Sequence, residues 1–260
     1  MNSPVPGPAL RVEELTMAYG DTVLQRNISF TVNRGDIFFI MGGSGCGKST
    51  LLRHLIGLKR PAAGRVLYGT TDLWALDEQQ RTALMRHAGV LYQGNALWSS
   101  MTLAENVALP LQHATDLGPS LIRELVMLKL AYVGLVGFED YYPAALSGGM
   151  RKRAAIARAI ALDPEFLFFD EPSAGLDPVS GRHLDDLLLE LRDTLGATLI
   201  IVSHDLASIY SIATNAVFLD ARAGTMLAAG NPREMLETSD EPAVIDFLTR
   251  GTGKREVPCP

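Results

Sequence analysis

The sequence predicts an α/β fold with an antiparallel β section ahead of it and an all-helical section inserted within it. Three observations point there. The runs Ile37–Met41, Phe166–Asp170 and Leu199–Val202 have strand length and little polar alternation, as strands covered on both faces do. Helical stretches separate these runs along the chain. From about residue 94 to 146 no strand pattern occurs.

Residues 1–9 form a Pro-rich leader, expected to be mobile. Between Leu10 and Val32, short apolar alternations flank Tyr19-Gly20-Asp21, which predicts two antiparallel strands and a turn. The buried run ending at Met41 meets a glycine-rich loop, and Ser49–Leu58 has helical composition. Thr102-Leu103-Ala104-Glu105 spells a capping box, because each end residue can bond the other's backbone N–H. Pro119 suits a first helical position, with Leu121, Leu125 and Leu128 on one face of the helix after it. Helices are expected at 148–162 and 179–195, with strands at Phe166–Asp170 and Ala197–Ser203 and a further helix after the second. Ala216–Asp220 and Met226–Ala229 read as a hairpin around Ala223-Gly224. The apolar Val244, Ile245, Phe247 and Leu248 mark a last helix, and residues 251–260 an irregular tail; helix and tail together read either as a frayed terminus or as a segment that packs across a dimer. The domain is therefore placed at 10–240, with the helical section at about 94–162 and the C-terminal helix and tail at 241–260.

Composition narrows the function. At 260 residues, 47% apolar and 20% charged, the chain buries a full core and is not disordered. A formal charge of −6 carries no general footprint for nucleic acid, so none is expected as a partner. Two cysteines, Cys46 and Cys259, make neither a disulfide framework nor a four-ligand zinc site. No apolar stretch reaches the roughly 18 residues of a transmembrane helix, and the N-terminus lacks a signal peptide's basic and apolar regions. The chain is expected inside the cell, reaching a membrane only through partners.

The strongest chemical signal is Gly42-Gly43-Ser44-Gly45-Cys46-Gly47-Lys48-Ser49, which matches G-x-x-x-x-G-K-S/T between a buried strand and a helix. Glycines let backbone N–H groups turn toward phosphate oxygens, and the helix start adds its positive end. Lys48 is expected to reach the β- and γ-phosphates of ATP, and Ser49 to ligate Mg²⁺. Thr50, next on the helix, joins the ATP-binding set. Leu167-Phe168-Phe169-Asp170-Glu171 supplies the second half of such a site: Asp170 for Mg²⁺ and Glu171 as the base that activates water. His54, His87, His113 and His183 show no ligand spacing. Arg151, Lys152, Arg153 and Arg158 read as a solvated basic face.

Between these motifs lies Leu146-Ser147-Gly148-Gly149-Met150, which resembles the L-S-G-G-Q signature of the ATP-binding cassette (ABC) ATPases. The likeness runs over roughly residues 10–240 and implies the P-loop ABC-ATPase fold with a RecA-like core. It implies that Ser147, Gly148 and Gly149 of one subunit cap the γ-phosphate held by the P-loop of another, hence a homodimer. Tyr19 resembles the aromatic that stacks on adenine. Gln93 resembles the Q-loop glutamine at Mg²⁺ and water, Asp177 the D-loop aspartate at the dimer seam, and His204 the γ-phosphate switch histidine. Position 150 departs from the family's Gln.

No spanning segment, coiled-coil arm or second cassette is present, so the family class implied is the separate ATPase subunit of a multi-chain transporter. Membrane permease subunits would dock on the helical section near Gln93. The stretch Met150-Arg151-Lys152-Arg153, the run Ala154–Pro164, and Gly94–Thr102 are similar to the ATPases of Mce/Mla-type lipid transporters. That likeness implies phospholipid or another hydrophobic cargo, an Mce-domain partner, and a place on the cytoplasmic face of a bacterial inner membrane. Ser173–Pro178 follows the general cassette pattern, where several Mla ATPases differ. A small-solute importer ATPase and a soluble, non-transport cassette share the same catalytic motifs and remain open.

Overall fold

The computed structural model describes residues 8–253. Residues 1–7 of the expected leader and 254–260 of the expected tail, Cys259 included, lie outside the described residues. Strands β1 (Pro8–Tyr19), β2 (Thr22–Asn33) and β3 (Ile37–Gly42) precede helix α1 (Lys48–Leu55). Then come β4 (Ala63–Tyr68), β5 (Thr71–Asp72), α2 (Glu78–Met85) and β6 (Ala88–Leu91). Helices α3 (Leu103–Ala114) and α4 (Pro119–Tyr132), a 3-10 turn at Pro143–Ala145 and α5 (Gly148–Ala159) follow. The chain continues through β7 (Phe166–Asp170), α6 (Pro178–Leu195), β8 (Thr198–Val202) and α7 (Leu206–Ile212). It closes with β9 (Asn215–Asp220), β10 (Thr225–Gly230), α8 (Pro232–Thr238) and α9 (Pro242–Leu248).

These elements form two compact units, one of the residues up to Met85 with those from Thr198 onward, the other Arg86–Ala197. The first unit holds an antiparallel sheet in the order β2-β1-β4-β5. It also holds β3 between β8 and β9, parallel to both, with β10 antiparallel to β9. Every residue of β3 and β8 is buried, which is why neither shows alternation. Each fully buried Phe, Ile or Met there contributes about 1.5–3 kcal/mol.

Helix α1 stops short of the expected Leu58. The Leu58 N–H bonds the Arg53 carbonyl at 2.9 Å and the Gly57 N–H the His54 carbonyl at 3.4 Å, with Gly57 at φ +75°. This double reverse bond ends the helix at Leu55 despite the apolar residues beyond it. The last helix forms where the sequence places it. Val244 and Leu248 of α9 are buried, the Phe247 ring meets Phe218 edge-on at 5.2 Å, and the Tyr210 hydroxyl donates to the Leu248 carbonyl. Val244, Phe247 and Leu248 thus find partners within their own unit.

In the second unit, β6 and β7 pair in parallel, Leu91 opposite Phe169. Only helices and the 3-10 turn lie between β6 and β7, the strandless insertion that the sequence predicts. Thr102 caps α3 in a complete capping box, Thr102 Oγ1 accepting from Glu105 N–H and Glu105 Oε2 from Thr102 N–H. Pro119 opens α4 as expected, but the buried face is Ile122, Val126 and Leu130. Leu121 and Leu128 stand 45% and 47% exposed, so the expected leucine stripe faces outward. Two apolar stripes run along this helix, and packing against its neighbours selects the one shifted by a residue.

Helix α5 crosses β6 closely: a Cβ on Gly89 would lie 2.2 Å from the Ala159 carbonyl oxygen. Gly89→Ala therefore forces helix and strand apart, and a stability loss of about 1–3 kcal/mol is expected from urea denaturation.

Candidate functional site

The phosphate loop grows out of β3. At Gly42, φ is +141°, and a Cβ would lie 2.3 Å from the Leu219 carbonyl oxygen and 2.8 Å from Cys46 Sγ, so only glycine lets the strand turn here. Gly43, Ser44 and Gly45 form the exposed tip, while Cys46 is buried as a filler. Gly47 stands at the N-cap position of α1 and offers no side-chain acceptor, and the first turn carries no acidic residue. The start of the helix thus has neither a side-chain cap nor a nearby carboxylate to compete with an anion. Lys48 Nζ donates to the carbonyls of Gly42 at 2.9 Å and Gly43 at 2.8 Å, so its charge is drawn over the loop. Ser49 and Thr50 follow on the first turn, half-buried. Thr50 Oγ1 lies 3.3 Å from the hydroxyl of Tyr19, the half-exposed last residue of β1.

One brace of this loop escaped sequence reasoning. Gln25 of β2 is fully buried, and its Nε2 donates at 2.9 Å to both the Cys46 and Asp220 carbonyls. It ties the loop to the end of β9, a tie invisible without knowing that residues 195 apart meet. His204 follows β8 at the same strand end: Ile40 pairs with Val202, so Gly42 and His204 each lie two residues past a matched position. His204 is exposed, and next to it Asp205 caps α7 through Ala207 N–H.

The second unit repeats this layout. Leu91 pairs with Phe169, and Gln93 and Glu171 each stand two residues beyond. Asp170, the last residue of β7, is 9% exposed. Glu171 adopts φ +52°, a left-handed conformation that a non-glycine residue holds only where its surroundings enforce it.

Ser147 caps α5, its Oγ accepting from Met150 N–H at 3.2 Å, which leaves Gly148 and Gly149 as the first helical residues. A Cβ on Gly148 would meet no atom within 4 Å, and neither glycine has a positive φ. Their own unit thus gives no steric or conformational reason for the pair, although each costs the helix about 1 kcal/mol. Asp177 caps α6 through the N–H groups of Val179 and Ser180, and the Ser180 hydroxyl bond foremost holds its carboxyl below the usual range. A cleft of about 550 Å³ runs beside both caps, lined by Ser147, Gly149, Gly175 and Asp177 among others.

Two side chains expected on a solvated face are structural ties instead. Lys152 is 7% exposed, and its Nζ donates to the carbonyls of Pro172, at 2.5 Å, and Ala174. Burial pushes its pKa down, with the Glu171 charge opposing. Arg158 donates to the carbonyls of Ala96, at 2.6 Å, and Asn95. Both residues have positive φ, so Arg158 clamps a strained turn just after Gln93. The misreading has a simple cause: a basic run on an amphipathic helix looks solvated until the loops that cover it are known.

Buried Asn106 knots residues 98–102, accepting from Trp98 N–H and donating to the Trp98, Met101 and Thr102 carbonyls. The knot displays Trp98, 61% exposed, at an apolar groove of about 390 Å³ with Met101, Leu109, Pro110 and His113.

Comparison with known proteins gives one consistent result. The profile of the ABC transporter family matches residues 25–174. The "Probable ribonucleotide transport ATP-binding protein mkl" of Mycobacterium tuberculosis is 39% identical over 242 residues, covering 93% of this chain and 67% of that one. The "Intermembrane phospholipid transport system ATP-binding protein MlaF" of Escherichia coli is 39% identical over 237 residues, covering 91% and 87%. Among solved structures, the bacterial ABC transporter cassette MJ0796 superposes with a TM-score of 0.77 at 28% identity, over 85% of this chain and 98% of that one. It is known as a dimer and in a post-hydrolysis state with ADP and Pi.

Replacing Lys152 with Met removes the ammonium that donates to the Pro172 and Ala174 carbonyls. A stability loss of about 1–3 kcal/mol in chemical denaturation is expected, with slower ATP turnover as the segment after Glu171 loosens.

Proposed function

The chain belongs to the ABC transporter family as an ATP-hydrolysing, ATP-binding subunit, and we propose that two copies close on two ATP molecules to drive separate membrane subunits carrying phospholipid or another hydrophobic molecule. The observation that carries the catalytic part is the placement of candidate groups two residues past matched positions of parallel strands, Gly42 with His204 and Gln93 with Glu171. Carboxyl ends of parallel strands are where open α/β sheets bind ligands.

In this reading Tyr19 stacks on adenine. The loop Gly42, Gly43, Ser44, Gly45, Cys46, Gly47 and Lys48 holds the phosphates with Thr50. Glu171 takes the proton from the attacking water and His204 senses the γ-phosphate. Ser147, Gly148 and Gly149 cap that phosphate from the second copy, and the open space above Gly148 is what such an approach needs. Asp177 lies at the seam beside them. The dimer of the related cassette MJ0796 supports this arrangement.

Ser49, Gln93 and Asp170 offer a hydroxyl, an amide and a carboxylate, an all-oxygen set of the kind Mg²⁺ takes. Among the described residues no three His, Cys, Asp or Glu side chains gather as a metal cage; phosphate oxygens and water would complete the ligands of an ion held there. The ion would neutralise charge on the phosphates.

No helix among the described residues is long and apolar enough to cross a membrane. The groove at Trp98 suits a short apolar segment of a membrane permease, and Arg158 ties the turn beside it to the signature helix. MlaF is named for intermembrane phospholipid transport, which supports a lipid cargo; with that cargo the reading includes an Mce-domain partner and a place on the cytoplasmic face of a bacterial inner membrane. Mkl, equally similar, is named for ribonucleotide transport, which keeps a small polar cargo as the second reading. Mass spectrometry of the complex purified from membranes separates them: co-purifying lipid and an Mce-domain protein are expected, and their absence beside a soluble solute-binding protein overturns the lipid assignment.

Glu171→Gln is expected to bind ATP, accumulate as a closed dimer in size-exclusion chromatography, and lose about 100-fold or more of turnover. Parental turnover in that variant refutes the assignment of the base. A chelator is expected to abolish hydrolysis and added Mg²⁺ to restore it. Trp98→Ala is expected to weaken capture of the membrane subunits by about tenfold or more, read by affinity purification.

A further inference from the structure

Tyr19 is held from two sides by α1 and the turn that ends it. Its hydroxyl meets Thr50 Oγ1 at 3.3 Å on the first turn. Beyond the last turn, Lys59 places its Nζ over the ring face, 2.9 Å from the centroid. That ammonium is shielded from solvent and has no hydrogen-bond partner among the described residues, so the aromatic face is what compensates its charge. Its backbone is fixed as well. The Lys59 N–H bonds the Arg53 carbonyl at 3.1 Å, and the Lys59 carbonyl lies 2.6 Å from Nδ1 of the fully buried His54. The Thr50 hydroxyl, and then the Lys59 charge, hold the Tyr19 phenol below its usual range. Tyr19 as a residue is nonetheless 51% exposed, so with Lys59 against one face of the ring it keeps open surface for a ligand.

We propose that Lys59 is a positioning residue for nucleotide-base recognition: its ammonium pins the Tyr19 ring from behind and draws electron density from it, so that the free face stacks more strongly on the electron-rich adenine. The helix whose start cradles the phosphates thereby sets, through the turn that ends it, the plane that receives the base. This rests on the reading of Tyr19 as the adenine-stacking residue. A merely structural Lys59 would affect all ligands of the site alike, whereas this role weakens only those that carry a base.

The test is calorimetric titration of the full chain, in the Glu171→Gln background to prevent turnover, with ATP and with inorganic triphosphate. Lys59→Met keeps the length and loses the charge. It is expected to raise the Kd for ATP about two- to five-fold, the range of an exposed cation–π contact, and to leave the Kd for triphosphate unchanged. Lys59→Arg is expected to retain ATP affinity. In a Tyr19→Ala background, Lys59→Met is expected to have no further effect. Equal weakening of ATP and triphosphate binding, or the same loss with and without Tyr19, overturns the role of Lys59. Unchanged ATP binding in Lys59→Met does so as well, provided Tyr19→Ala alone weakens it. If Tyr19→Ala alone leaves ATP binding intact, the stacking reading itself fails and the inference goes with it.

Discussion

A carbonyl oxygen 2.3 Å from where a side chain would begin governs the first unit. Leu219 of β9 presents that oxygen to Gly42, and β9 and β3 run parallel as buried neighbours. The strand cannot carry a Cβ at that point, so only glycine serves where β3 gives way to the loop that leads into α1. The shape of this loop follows from packing as much as from the glycines that line it. Gln25 fixes the loop from below, and Lys48 brings a positive charge across the top.

The second unit depends on a different device, a helix with cations at two levels. Helix α5 begins at the Ser147 cap and carries Lys152 and Arg158 toward two loops. One loop follows Glu171 and leads to Asp177, and the other follows Gln93. The loop after Gln93 holds Asn95 and Ala96 in left-handed conformations, and the other loop follows Glu171, which is left-handed itself. The Arg158 guanidinium donates to the carbonyls of Asn95 and Ala96, and the Lys152 ammonium to those of Pro172 and Ala174, which holds both turns in place. A movement of α5 therefore reaches both loops through hydrogen bonds rather than through loosely packed surface. If membrane subunits dock at the Trp98 groove as proposed, this is a physical route by which their movement would reach the segment after Glu171.

ATP hydrolysis and transport coupling place different demands on the chain, and the proposed reading assigns them to different residues. In it, phosphate chemistry falls to backbone N–H groups, carboxylates and strand ends. Base recognition would add the local arrangement in which Thr50 of α1 and Lys59 of the turn after it hold Tyr19. A cargo carried by separate membrane subunits would leave no mark on this chain.

The residues of the phosphate loop, the carboxylates Asp170 and Glu171, the signature around Ser147 and the capping box at Thr102 were legible in the sequence alone. Each depends on residue types at short fixed spacing, where backbone geometry dictates the chemistry. The buried strands were legible too, since burial on both faces erases polar alternation. Other features needed the tertiary structure: which stripe of α4 is buried, where α1 stops, where α9 packs, that Lys152 and Arg158 point inward, and that Lys59 lies under Tyr19. All of these turn on what sits opposite a side chain, and that neighbour comes from a distant part of the chain or from a reverse turn whose bonds outweigh apolar composition. Local spacing determines which groups can do chemistry, and long-range packing decides how they are held.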